Sequence, residues 1–82
     1  MPGNVTTIGS QAFYGCTSLT SIEISASVTN IGDLAFSGCT SLSSIVFDGA
    51  AAQWNAITKG DHWNYNVPAT EVVCSDETVI LN

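Results

Sequence analysis

Residues 5–26 read VTTIGSQAFYGCTSLTSIEISA, and residues 28–49 read VTNIGDLAFSGCTSLSSIVFDG. Set against each other at an offset of 23, thirteen of the 22 positions are identical. Val5 falls on Val28, Ile8 on Ile31, Ala12-Phe13 on Ala35-Phe36, and Gly15-Cys16-Thr17-Ser18-Leu19 on Gly38-Cys39-Thr40-Ser41-Leu42. Almost every apolar residue keeps an apolar partner, while polar changes such as Ser10/Asp33 and Glu23/Val46 fall mostly between the apolar positions. A fixed period of this length is the mark of a chain that stacks one structural unit on the next.

Each copy ends in a Leu-x-x-Ile-x-apolar run: Leu19, Ile22, Ile24, then Leu42, Ile45, Phe47. Side chains alternate faces along a strand. Ile22 and Ile24 are therefore expected to point inward with Ser21 and Glu23 outward, and Ile45 and Phe47 inward with Ser44 and Val46 outward. Strands one repeat apart would pair in parallel, and the segment between them would return across the back. Ala12-Phe13 and Ala35-Phe36 read as a short helical turn that drops a Phe into the core. Gly15 and Gly38 would end that turn at positive φ.

The pattern V-T-x-I-G-x-x-A-F-x-G-C-T-S-L-x-S-I resembles the BspA-type leucine-rich repeat, found in large surface proteins of bacteria and some protozoa. The period of 23 lies within the leucine-rich range. The resemblance covers Val5 to Gly49, and Pro2-Gly3-Asn4 is similar to the tail of a preceding repeat. The Asn or Cys that the better-known leucine-rich pattern places eight residues after its first Leu is replaced here by Ser27 and Ala50, so no Asn ladder is expected. The segment G-x-x-x-Q-W-N-x-I, followed by a Cys-Ser-Asp hairpin, resembles the C-terminal cap of such arrays.

After Gly49 the sequence period stops. Asp48 is positioned to cap a helix over residues 50–58, with Ala50, Trp54 and Ile57 on one face. Lys59 would complement its C-terminal dipole and Gly60 would stop it. Residues 61–68 read as a loop laid over the core. Residues 71–74 and 78–81 read as a hairpin around Ser75-Asp76-Glu77. The expected architecture is thus an α/β leucine-rich-repeat solenoid in one domain, residues 1–82. Two 23-residue repeats with parallel strands fill residues 1–49, and a helix-and-hairpin cap fills residues 50–82.

Charge narrows the function. Seven acids face one cation, Lys59, for a net charge of -6, and 10% of residues are charged against about 25% in ordinary domains. One Lys and no Arg cannot neutralise a run of phosphates, which excludes nucleic acid and polybasic membrane attachment. No run of about 18 apolar residues is present, so no membrane insertion is expected. The start, Met1 to Asn4, reads as neither the basic nor the apolar part of a signal peptide.

No catalytic, metal or cofactor motif stands out. Cys16 and Cys39 share one slot of successive coils, and parallel Cβ vectors suit a disulfide poorly. With Cys74 they read as buried thiols. His62 is the sole imidazole, and its neighbours Asp61 and Trp63 supply no nucleophile for a hydrolase. Trp63 and Tyr65 among Asn55, Asn64 and Asn66 resemble a small carbohydrate-binding cap. Both Trp residues also fit as core anchors of the cap.

Two surfaces remain. Ser21, Glu23, Ser44 and Val46 form the outward strand face, where repeat proteins commonly bind partners. Val5, Ile8, Phe13, Leu19 and Ile22 would face an open edge, since two repeats stack less core than a stable array needs. A homo-oligomer through this open N-terminal coil, or further repeats ahead of it, would cover that edge. The resemblance implies a non-enzymatic protein-binding or adhesion module, extracellular or at the cell surface as part of a longer parent. Its partner would be a host or matrix protein, with no cofactor.

Overall fold

A computed structural model describes residues 4–81, so the Pro2-Gly3 part of the repeat-tail reading lies outside the described residues. The strand at the end of each repeat forms as the alternation requires. Strand β2 (Ser21–Ile24) pairs in parallel with β4 (Ser44–Phe47), with Ser21 opposite Ser44 and Ile24 opposite Phe47, a register of 23 throughout. Ile24, Ile45 and Phe47 are buried; Ser21, Glu23 and Ser44 are exposed.

The return segment is more regular than the sequence indicates. The Thr-x-Ile stretch of each copy forms a two-residue strand: β1 (Thr7–Ile8) and β3 (Asn30–Ile31) pair in parallel at the same offset. Between the two sheets the Ala-Phe turn is held by i→i−3 bonds. The N–H groups of Ala12, Tyr14 and Cys16 reach the carbonyls of Gly9, Gln11 and Phe13 at 3.1 Å each. Gly15 and Gly38 carry the expected positive φ, 70° and 78°. The helical turn is a hydrogen-bonded turn and not a helix.

Residues 58–73 repeat this geometry without repeating the sequence. Strand β5 (Thr58–Lys59) adds to β3, and β6 (Glu71–Val73) adds to β4, both in parallel. Gln11, Phe13 and Gly15 donate backbone N–H to Asp33, Ala35 and Ser37 at 2.9, 2.8 and 2.8 Å. One layer on, Leu34, Phe36 and Gly38 donate to Asp61, Trp63 and Tyr65 at 3.0, 2.7 and 2.8 Å. The positive-φ positions follow the same layers: Gln11, Leu34 and His62 at 57°, 59° and 54°, then Gly15, Gly38 and Asn66. The expected loop over residues 61–68 is therefore, through Asn66, a third turn in register with the first two. Backbone hydrogen bonding drives this, and it needs only residues that tolerate positive φ, which Asn66 does.

The step from the second layer to the third is longer because helix α1 (Ala51–Ala56) is inserted before β5. The expected helix over residues 50–58 is shorter, and Asp48 does not cap it. Asp48 instead extends the sheet, its N–H donating to Ile24 O at 2.9 Å. The helix start is held by Asp76 Oδ1, which accepts from Ala51 N–H, and by Gln53 Oε1, which accepts from Ala50 N–H, both at 2.9 Å. Lys59 lies on β5 yet reaches back to the helix end, donating to Trp54 O at 2.9 Å and Ile57 O at 3.2 Å. Its Nζ sits 4.7 Å from the Trp54 ring centroid. Gly60 does not end the helix, whose C-cap is Ile57.

Strand β7 (Thr78–Ile80) closes the hairpin, antiparallel to β6. The larger sheet then runs β2-β4-β6-β7 and the smaller β1-β3-β5. This is a repeat fold of two sheets, parallel throughout except for the antiparallel edge strand β7, with one short helix, and neither sheet closes on itself. The core lies between the sheets, with Phe36, Phe47, Trp54 and Leu42 fully buried. Phe13 stacks on Phe36 at 5.1 Å and 4°, and Phe36 meets Trp63 edge-on at 6.2 Å.

Candidate interaction surfaces

The outward strand face is wider than the four residues read from sequence. Register places Ser21, Ser44, Glu71 and Ile80 in one row, and Glu23, Val46, Val73 and Thr78 in the next. Val73 is 43% and Ile80 64% exposed, and Val46 between Glu23 and Val73 is half-buried. The face therefore has an apolar patch (Val46, Val73, Ile80) edged by the carboxylates of Glu23 and Glu71. Sequence reasoning missed Glu71, Val73, Thr78 and Ile80 because the third strand does not carry the Leu-x-x-Ile pattern. The alternation within Glu71-Val72-Val73 was the available signal, since it matches Ser44-Ile45-Val46.

The N-terminal end is open among the described residues. Val5, Phe13, Leu19 and Ile22 are half-buried. Their counterparts one layer in, Val28, Phe36, Leu42 and Ile45, are no more than 2% exposed. Ile8 departs from the expected set, since β3 and the turn already bury it to 3%. These residues, with Thr7, Gly9 and Ala12, line an apolar groove of about 560 Å³.

The remaining polar groups are accounted for locally. Cys39 is fully buried and its Sγ donates to Phe13 O at 3.0 Å; burial pushes its thiol above the usual range, with Cys16 alongside. Burial raises the Cys74 thiol as well, aided by Asp76 and Glu77. Desolvation lowers Lys59. All three cysteines are free thiols. His62 is exposed, with its ring edge-on to Tyr65 at 5.5 Å. Among the described residues no three His, Cys, Asp or Glu side chains gather as a metal would need. Trp63 is only 8% exposed, packed against Phe36 and Trp54. It therefore cannot be the exposed platform of a carbohydrate cap, and serves as a core anchor.

Two parallel sheets built from strand-turn-strand layers, with one sheet face turned outward, define a repeat protein. The family model described as "BspA type Leucine rich repeat region (6 copies)" matches residues 1–59. The chain belongs to that family and is a leucine-rich-repeat module of the protein-interaction class. No curated protein and no solved structure matches it. The match extends past Gly49 and through β5, in keeping with the third layer described above.

Proposed function

We propose that the chain is a non-enzymatic protein-binding module of a cell-surface protein, the C-terminal end of a leucine-rich-repeat solenoid. Residues 50–82 cap it and the outer strand face carries the contact. The apolar patch of half-buried Val46 and exposed Val73, side by side in one row, with exposed Ile80 diagonal to Val73 on the next strand, supports this reading. An apolar centre with a charged rim is the usual anatomy of a protein interface. The acidic rim and the net charge of -6 favour a partner, such as a host or matrix protein, with basic residues around an apolar centre. The face is small against the roughly 800 Å² per partner of a standard interface, so a single module binds weakly. The test is surface plasmon resonance against a panel of purified matrix and serum proteins. Saturable binding should be lost in the double variant V73K/I80K while the melting temperature holds. No binding to any panel member, or binding indifferent to the variant, removes the proposal.

A second reading concerns the N-terminal groove, because its lining residues are half-exposed where their counterparts are buried. We infer that it is covered by self-association. Only Glu23 among its lining residues is charged, so two copies could meet there without opposing their acidic surfaces. Sedimentation velocity over a wide concentration range should show a reversible dimer, and Leu19→Glu should return it to monomer. A monomer at every concentration would end this reading.

A further inference from the structure

Tyr14, Ser37 and Tyr65 occupy one slot of three successive layers. Each donates its N–H to the carbonyl three residues back, of Gln11, Leu34 and His62, at 3.1, 3.2 and 3.2 Å. Each is followed by a positive-φ residue, Gly15, Gly38 and Asn66. Shared backbone geometry sends their three Cβ atoms off the same side of the molecule. Ser37, in the middle, is 4% exposed, while Tyr14 is 57% and Tyr65 55% exposed. The two phenol rings thus stand two layers apart on one flank, about 9–10 Å along the stacking axis at ordinary strand spacing. Core packing does not explain them, since neither ring is buried.

We propose that Tyr14 and Tyr65 form a two-ring platform for a neutral β-linked polysaccharide of the cellulose or chitin kind. An aromatic face is apolar and carries negative quadrupole density, which suits the C–H face of a pyranose ring. In such a chain alternate sugars turn the same face to one side. Their spacing is one disaccharide, comparable to the two-layer step between the rings. Exposed Gln11 and Asn66 flank the platform with amides that can hydrogen-bond sugar hydroxyls. A protein partner is less well served, because two rings with a full layer between them, Tyr65 with His62 edge-on at 5.5 Å, make no contiguous apolar patch. An anionic polysaccharide is disfavoured by the charge of -6. The sole cation, Lys59, is engaged by Trp54 O and Ile57 O.

The experiment is retention of the full chain on cellulose, chitin and heparin–agarose, with the soluble hexasaccharide of each neutral polymer as competitor. Retention is expected on at least one neutral polymer and not on heparin. It should weaken roughly tenfold in Tyr14→Ala and in Tyr65→Ala, about one stacked ring each, and persist in the Phe variants. The fluorescence of buried Trp54 and Trp63 reports that each variant stays folded. Retention on neither neutral polymer, equal retention of both Ala variants, or preference for heparin would overturn the proposal.

Discussion

Gly32→Ala is expected to destabilise the chain severely, while Gly9→Ala, the same change in the same slot one layer earlier, is expected to be harmless. A Cβ on Gly32 would stand 2.8 Å from Gly9 C and Ser10 Cα, and would run into Ser10 N. All three are backbone atoms held by the interlayer bonds Gly32 N–H to Ile8 O, 2.8 Å, and Gln11 N–H to Asp33 O, 2.9 Å. No side chain can swing away to relieve the overlap. Overpacking of this kind costs about 3 kcal/mol or more. At 4–8 °C per kcal/mol, that is a fall in Tm of roughly 12 °C or more. A Cβ on Gly9 meets nothing within 4 Å. Loss of unfolded-chain freedom then dominates, and a gain of about 0.4–1 kcal/mol follows. Thermal melts by circular dichroism of both variants at one fixed low concentration decide it. A comparable loss at both positions would mean that the first layer is already covered.

The Gly9/Gly32 pair also shows where the sequence was legible and where it was not. Identity at 13 of 22 positions is enough to set the register of β2 on β4, because side-chain alternation and parallel pairing leave one arrangement that buries Ile24 and Phe47. The third layer was hidden because its determinants are backbone determinants. Trp63 replaces the small Ala of the turn, and Asn66 replaces the Gly, yet the carbonyls of Asp61, Trp63 and Tyr65 still accept the bonds that the second layer offers. Gly60-Asp61, echoing Gly32-Asp33, and Thr58, echoing Thr7, keep the older letters. Gly60 persists for the same steric reason as Gly32, since a Cβ there would strike Asp33 N and Oδ1. The helix cap was misread because its acceptor, Asp76, is distant in sequence and arrives only when the hairpin folds back. The outer strand face was half legible: Ser21, Glu23, Ser44 and Val46 follow from alternation, and the Val73 and Ile80 half required the third layer.

Trp54→Ala should lower stability by about 3–5 kcal/mol, the range for removing a buried aromatic, and should do so in one cooperative transition. Trp54 is 1% exposed. Its ring meets Phe47 at 5.5 Å and Trp63 at 5.7 Å, both edge-on, and carries Lys59 Nζ at 4.7 Å. Truncation therefore takes away two aromatic pairs, worth about 0.5–1.5 kcal/mol each beyond area, and leaves a cavity between helix and sheet. A domain of this size holds roughly 4–12 kcal/mol in all, so the variant should melt about 12–40 °C lower. The single transition is the sharper claim. Both sheets run without interruption from the first repeat into the C-terminal residues, β1-β3-β5 and β2-β4-β6-β7. Phe47, on the second repeat, loses its partner along with Trp63 on the third layer. Damage at Trp54 is thus expected to propagate to residues 5–49, whose buried side chains form one cluster with those of residues 51–74. Far-ultraviolet circular dichroism and the fluorescence of the remaining Trp63 should give coincident melts. If the dichroism melt instead kept a second transition at the parent temperature, residues 1–49 would be a self-sufficient unit and residues 50–82 a separable cover.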